Sequence, residues 1–331
     1  MRYLIVSEYG NFLGLEGERL VVRADGEVLK EAVLSRLRTV FVTKKGVSLS
    51  SDLILACAAR GIRIFFLDWR NVSAAALAGA NQHATALFRE KQFLCIRSQY
   101  AGVISAEIIS SKIRNQRSVL NYFRKGLPQG SPEVLTLRDG SESLNGILKA
   151  IGQMDWLTLQ HWKDELLGLE GAAANIYWSA LASTGLLPKT FLSREGRGSL
   201  EITNAMLNYG YAILMSQIWT ALDTAGFELY AGLFHAFRPG KPSLVLDVME
   251  EYRAWVVDRN VIKLRFSAKG KTKLDAKLKK EISDGIFQTL EKRFPYHGKL
   301  VRLDNIVQRQ VYRLAGAVAD GSRYRGYSFK W

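Results

Sequence analysis

Cysteine, histidine and proline are scarce in this chain: two, four and six residues among 331. Cys57 and Cys95 sit in apolar surroundings, LACAAR and FLCIRS. They read as buried thiols, since two such cysteines make neither a disulfide framework nor a CxxC metal site. The few histidines offer no zinc spacing, and a serine or cysteine nucleophile relayed through a triad finds no support. No run of about 18 apolar residues occurs, so no transmembrane span and no membrane partner is expected. The start, MRYLIVSEYG, lacks signal-peptide shape because a glutamate interrupts its short apolar run. A reducing, cytoplasmic setting fits these absences. A phosphate-cradling nucleotide loop is missing as well: GKTK at 270–273 has neither the GxxxxGK[ST] pattern nor a strand-to-helix setting. Internal repeats and low-complexity tracts are absent too.

Positive charge is what the chain has in excess. Lysine and arginine number 46 against 31 acids, a formal charge of +15, and the pI is about 9.8. That balance points to a polyanionic partner, nucleic acid first and an acidic membrane surface second. Hydrophobic residues make up 48% of the chain, enough for sizeable cores and against disorder.

The pattern changes character near residue 80. Before it, Tyr3–Val6, Leu20–Val22, Thr39–Val42 and Ile62–Leu67 are short β-favouring runs punctuated by Gly10, Gly17, Asp25-Gly26 and Gly46. Ser50 is placed to cap a helix that Gly61 ends, and a strand hairpin follows over 67–77. AGANQHATAL then reads as a linker running into helix. Helical periods dominate beyond it: 88–101, 103–125, 144–154, 157–183, 201–225, a helix from Ser243, then 274–293 and 304–319. Residues 127–143, with Pro128, Gly130, Pro132 and Gly140, read as a loop, and 186–199 as an exposed basic loop. The expected fold class is α+β: a small β-rich domain over 1–80, a linker and connecting helix over 81–101, and a larger all-α domain over 102–331.

Two stretches carry the candidate chemistry. Glu170 lies in GLEGAAANIYW, where a buried carboxylate needs a cation, a salt bridge or water, because burying it unpaired costs several kcal/mol. Its other reading is a partly exposed glutamate near a helix start. The second stretch is LFHAFRPGKPSLVLDVMEEYR. His235 is followed fifteen residues later by Glu250. Ser243 is a candidate N-cap, and Asp247 and Glu250, three apart, share a helix face from which Glu251 is rotated away, on the side expected to be solvated. This is either two-thirds of a metal site or a capped helix with a solvated acidic face. Glu170, His235 and Glu250 together offer two carboxylates and an imidazole, a set that suits Mg²⁺ or Mn²⁺, with the nitrogen tilting toward Mn²⁺. His83, His161 and His297 read as surface or structural residues.

Other polar clusters surround these. Asn204, Asn208, Tyr209 and Tyr211 either bridge helices or line the site. Lys112, in SKIRNQRSVL, shares a helix with Arg114, Arg117, Arg124 and Lys125. That is a phosphate-tracking surface or a solvated helix face. Arg194 and Arg197, in the loop at 191–198, and Lys273, Lys277, Lys279 and Lys280 read as backbone contacts to nucleic acid. Tyr324, Tyr327, Phe329 and Trp331 form an aromatic tail that packs on the helical domain or stacks on bases.

In their joint order these pieces resemble the family of the Cas protein numbered one, the CRISPR-associated endonuclease and integrase of spacer acquisition. The pieces are KIRNQ at 112–116, LEGAAANIYW around Glu170, NAMLNYGYAIL at 204–214, GLFH with PSLVLDVMEEYR at 232–253, QRQVYRLA at 308–315 and the final aromatic run. SLSSDLILACAARGIRIFFLD extends the likeness through the amino-terminal part. The resemblance implies a β-rich domain that mediates homodimerisation and a helical catalytic domain. It implies metal ligation by Glu170, His235 and Glu250, with Asp247 beside them in the catalytic set. Lys241 and Arg253 would be basic neighbours of the site. Arg238, in the RPGK turn, joins Lys112, Arg194 and Arg197 as an expected DNA contact. DNA, as spacer precursor and CRISPR repeat, and the Cas protein numbered two are the implied partners. One departure is local: AGFELYAGLFH lacks the family's commoner Asp-Pro pair, which touches loop shape and not the ligands. A non-catalytic nucleic-acid scaffold and a metal-dependent nuclease for RNA or branched DNA are the competing readings.

Overall fold

The computed structural model describes residues 2–67, 73–77, 79, 85–196 and 198–329. They fall into two compact units, Met1–His83 and Ala84–Trp331. His83, Arg197 and Trp331, and 81–84 of the expected linker, lie outside the described residues.

The first unit is built from strands, as the β-branched runs suggest. β1 (Tyr3–Val6), β5 (Thr39–Val42) and β7 (Arg63–Leu67) are parallel, with β8 (Ser73–Leu77) added antiparallel in the order β1-β5-β7-β8. A second sheet runs β4 (Glu27–Val33), β3 (Arg19–Ala24), β2 (Phe12–Glu16), β6 (Ser48–Leu49). The β3–β4 hairpin turns on Asp25-Gly26, both at positive φ (49° and 85°), the backbone that Asp-Gly supplies at low cost. Parallel β5 and β7 need a crossover, and α1 (Ser51–Ala59) provides it. The Ser50 hydroxyl caps α1 by accepting the Leu53 N–H at 3.2 Å. Leu4, Leu13, Leu20, Val40, Leu53 and Ile64 are among the residues of the core, and the Cys57 thiol lies in it. Burial pushes that thiol up to about 11, so it is inert, and both cysteines are free and buried.

The second unit is helical. α2 (Thr85–Arg97) stops at Ser98, whose hydroxyl donates to the Cys95 carbonyl and accepts the Tyr100 N–H, and α3 (Tyr100–Arg124) begins there. α4 (Pro132–Gln153) and α5 (Trp162–Ser183) pack beside α3. α6 (Ile202–Thr224) is buried along most of its surface, the mark of a central helix. α7 (Ser243–Tyr252) runs into a wide π-helical turn, Arg253–Asp258, then α8 (Arg259–Lys263). α9 (Ala276–Glu291), a hairpin of β9 (Arg293–Tyr296) and β10 (Lys299–Arg302), and α10 (Leu303–Asp320) complete the unit.

The α+β expectation holds, with four local corrections. Residues 132–143, expected to be loop, are the first half of α4. Ser131 caps it and Pro132 sits in its first turn, where a missing N–H costs nothing. Ser243 does not cap α7 but lies inside it, and its hydroxyl donates to the Ala236 carbonyl at 2.9 Å. The β9–β10 hairpin interrupts a region read as helix and connection, turning on His297-Gly298 at φ 48° and 76°. Finally, α7 has no solvated face: all ten of its residues are buried, and Glu251, expected in solvent by its rotation, is 0% exposed.

Candidate active site

Three helices and one loop bring the sequence candidates together. α7 carries Asp247 and Glu250 one turn apart, α5 carries Glu170, α3 carries Lys112, and the segment entering α7 carries His235. That segment bends around Asp247. Its Oδ2 accepts the backbone N–H groups of Leu233 at 2.6 Å and Phe234 at 3.0 Å, and Oδ1 accepts that of His235 at 2.9 Å. The same Oδ1 lies 2.5 Å from the His235 ring Nδ1. Only glycine fits at 232. A Cβ there would stand 2.7 Å from the Ser243 Cβ and 2.8 Å from Asp247 Oδ2, below any real contact. Asp247 is therefore a buried post on which the His235 backbone and ring are both hung. With Nδ1 engaged, Nε2 is the imidazole nitrogen left to act as a ligand.

Glu250, one turn on, is held by two cations. Its Oε1 pairs with Arg253 at 3.0 Å and its Oε2 lies 2.9 Å from the Lys112 ammonium. Burial disfavours its charge, but Arg253 and then Lys112 outweigh burial, with a smaller contribution from His235, and bring it down to about 2. The Lys112–Glu250 contact is an ion pair without hydrogen-bond alignment, and Oε2 has no hydrogen-bond donor. The same ammonium donates to Glu170 Oε1. Burial alone would lower the affinity of Lys112 for its proton, but the Glu250 and Glu170 charges reverse that, and it is raised above the ordinary lysine value.

Glu170 is thus paired with a cation, in the way a carboxylate in a small-residue helix requires. Lys112, expected on a phosphate-tracking face, is instead 11% exposed and engaged between the two acids. Its signal was legible: in Ile108–Lys112–Asn115–Val119 a lysine and an asparagine stand between apolar residues at helical spacing, on the buried side of α3.

Around this centre the arginines and asparagines take defined posts. Arg253 and Arg194 both lie over the Tyr211 ring, at 5.0 and 5.1 Å from its centroid. The Tyr211 hydroxyl donates to Asp258 Oδ1 at 2.5 Å, and Tyr177 to Oδ2 at 3.2 Å. Burial raises Asp258 to about 6 in spite of these bonds. Arg194 also donates to Asn204 at 3.0 Å and Asn208 at 2.6 Å, and those asparagines bind the Ser193 and Gly196 carbonyls. The asparagine pair therefore clamps the loop before α6 onto that helix. Lys241 is half-buried just before α7, and Arg238 is exposed in the same turn.

Glu251 belongs to a different structure. The Tyr324 hydroxyl and the Tyr327 N–H donate to its two oxygens. Asn115 donates to the Glu251 and Tyr327 carbonyls and accepts the Phe329 N–H. The aromatic tail thus packs on α3 and α7, and Tyr324, Tyr327 and Phe329 are buried.

The fit to a divalent ion can be judged from these contacts. Among the described residues no three His, Cys, Asp or Glu side chains are gathered closely enough to hold an ion as they stand. Glu170 and Glu250 are nonetheless gathered around one cationic group, Glu250 Oε2 lacks a hydrogen-bond donor, and the anchored His235 lies near enough to Glu250 to act on its charge. That donor chemistry fits Mg²⁺ or Mn²⁺ at the place where the ammonium stands.

Comparison with known proteins adds to the geometry. The family model described as "CRISPR associated protein Cas1" matches residues 4–282. The CRISPR-associated endonuclease Cas1 1 of Francisella tularensis subsp. novicida (strain U112) is 48% identical over 331 residues, covering 100% of both chains. Among solved structures, a casposase bound to integration product superposes with a TM-score of 0.79 at 21% identity, covering 100% of this chain and 96% of that one. A Cas6-RT-Cas1–Cas2 complex gives 0.77 at 20% identity over 98% of this chain and 36% of that one. At those identities the structural likeness is one of fold.

Proposed function

This chain belongs to the CRISPR-associated Cas1 family, and from that premise we propose that it is a DNA endonuclease and integrase that inserts spacer DNA into a CRISPR array. The observation that carries the chemistry is the Asp247-anchored His235 near Glu250, which shares one cation with Glu170. Glu170, His235 and Glu250 would hold Mg²⁺ or Mn²⁺, which when bound polarises a phosphoryl oxygen as a Lewis acid.

The chain's own residues do the rest. Asp247 holds the imbedded edge of the imidazole so that Nε2 is presented without reorganisation. Arg253 fixes Glu250 through Oε1 and leaves Oε2 for a ligand. In integration a 3′-hydroxyl of the incoming DNA attacks the phosphorus, a new P–O bond forms, and the strand's own 3′-oxygen leaves. In cleavage, water replaces the attacking hydroxyl. Arg253 and Lys241 offset the negative charge that grows on the phosphorane-like transition state. Arg238 and the loop bearing Arg194 extend that positive potential toward the DNA backbone. No covalent protein–DNA intermediate is involved: Tyr211 is committed to Asp258, and its proton is held well above the ordinary phenol range by burial and that carboxylate.

The proposed partners are DNA and the Cas protein numbered two, the latter named in the Cas6-RT-Cas1–Cas2 assembly that shares this fold. A second copy of the chain, joined through the β-rich unit, is the third. No helix among the described residues is long and apolar enough to cross a membrane, and the proposed site of action is the cytoplasm.

Glu170→Ala, His235→Ala and Glu250→Ala are each expected to abolish Mn²⁺-dependent cleavage and strand transfer while DNA binding survives in a gel-shift assay. Joining of DNA ends by the triple variant refutes the ligand set. Preference for RNA in the same assay favours the RNA-nuclease reading instead.

A further inference from the structure

Lys112 is on neither the surface nor a bystander salt bridge, and its place in the charge balance points to a role. Four charged groups meet here: Glu170, Glu250, Lys112 and Arg253. Their charges sum to zero, apart from the Asp247 carboxylate, whose two oxygens are taken up by the Leu233, Phe234 and His235 N–H groups and the His235 ring. A divalent ion added to that set with Lys112 in place leaves two net positive charges in a buried site, which is strongly unfavourable. With the ammonium expelled, one positive charge remains, and a single phosphodiester neutralises it.

The packing permits the exchange. Glu250 is also held through Oε1 by Arg253, and the His235 segment is held by Asp247, so each keeps an anchor when Lys112 leaves. The Lys112 contact to Glu250 Oε2 is an ion pair at 2.9 Å outside hydrogen-bond geometry, the looser of the two contacts that the ammonium makes. Lysine has the flexible stem that leaving requires, whereas an arginine would bind both carboxylates in a stiffer fork.

We propose that the Lys112 ammonium and the catalytic divalent ion compete for one place between Glu170 and Glu250, so that the lysine is a built-in counter-ion that must swing out before the ion is bound. The lysine keeps two buried carboxylates compensated in the ion-free enzyme and sets the concentration at which the ion enters. This rests on the metal reading above.

The test is a titration of the full-length protein with Mn²⁺, free ion being read by electron paramagnetic resonance, on the wild type, Lys112→Gln and Lys112→Arg. Lys112→Gln is expected to bind Mn²⁺ roughly tenfold tighter than the wild type, a difference of about 1.4 kcal/mol. Its ion-free melting temperature is expected to fall and to recover on Mn²⁺ addition. Lys112→Arg is expected to bind no tighter than the wild type. Equal or weaker binding by Lys112→Gln overturns the proposal, as does tighter binding by Lys112→Arg. Should Lys112→Gln fail to fold, Mn²⁺-soaked crystals of the wild type decide: the anomalous peak must coincide with Nζ having left both carboxylates, and a peak with Nζ still on both overturns it. If wild-type binding is absent, or unaffected by Glu250→Gln, the metal reading itself falls, and this inference with it.

Discussion

Asp247→Asn isolates the structural half of the site from the chemical half. The carboxylate is completely buried and faces four nitrogens: three backbone N–H groups at 2.6, 3.0 and 2.9 Å, and the His235 Nδ1 at 2.5 Å. Two of these fall on each oxygen. An amide has one oxygen: its NH₂ confronts either the two backbone N–H donors of Leu233 and Phe234, or the His235 N–H together with an Nδ1 that must change tautomer to accept, so two bonds to a charged acceptor are lost either way. Each lost hydrogen bond to a charged acceptor costs about 1.5–3 kcal/mol, so the substitution is expected to destabilise by about 3–6 kcal/mol. That is a large share of the ~5–15 kcal/mol typical of a folded domain. Urea titration followed by far-UV circular dichroism measures it, with a lowered midpoint at unchanged slope as the expected form. Strand transfer should fall as well at temperatures where the variant is still folded, because His235 has lost the group that orients its ring. A destabilisation below about 1 kcal/mol refutes the idea that Asp247 organises the 232–235 segment.

Three further outcomes follow from other contacts. Glu251 is raised to about 7, chiefly by burial that its Tyr324 and Tyr327 bonds only partly offset, against an ordinary value of 4.5. A raised carboxyl favours the protonated fold, so its contribution is intact below about pH 4.5 and is lost as pH rises through about 7. The melting temperature of Glu251→Gln should therefore decline less than that of the wild type across that window, and parallel curves refute the assignment. Glu250 works in the opposite sense. Its value of about 2 means its contribution is present above pH 4.5 and is lost as pH falls toward 2, so Glu250→Gln should flatten the acid limb. Asn115→Ala removes three hydrogen bonds, two to the tail at Tyr327 and Phe329 and one to the Glu251 carbonyl of α7, about 2–3 kcal/mol in sum. Chymotryptic cleavage near Tyr324–Phe329 should then outpace the wild type, and equal rates count against Asn115 as an anchor of the tail.

Glu170, His235 and Glu250 were legible as candidates, by residue type and through the joint order of motifs that resembles the family, and the helix pattern located most of the second unit. What misled was exposure. Glu251 sits off the Asp247–Glu250 face, and helix geometry alone sends it to solvent. The tail, some seventy residues further along the chain, covers that face and supplies Tyr324 and Tyr327 as donors. Pro132 and Gly140 suggested a loop at 127–143, but Pro132 occupies the first turn of α4, and at Gly140 a Cβ would come within 3.0 Å of the Ala180 Cβ, a close approach of α4 to α5. Here glycine marks packing and not a break. The hairpin at 293–302 leaves little trace in the sequence because its strands are four residues each and its His-Gly turn is a weaker signal than Asn-Gly.

The sequence by itself determined the α+β class, the change of character near residue 80, the basic surface charge and the identity of the acid–histidine–acid candidates. These are properties of composition and of local period, which short windows of chain contain. Only the tertiary structure decided that Lys112 stands between Glu170 and Glu250, that Asp247 holds the His235 loop, and that Glu251 serves the tail. Each of these pairs groups from separate elements, 12 to 138 residues apart. Burial and charge compensation, which set their roles, exist only once those elements pack.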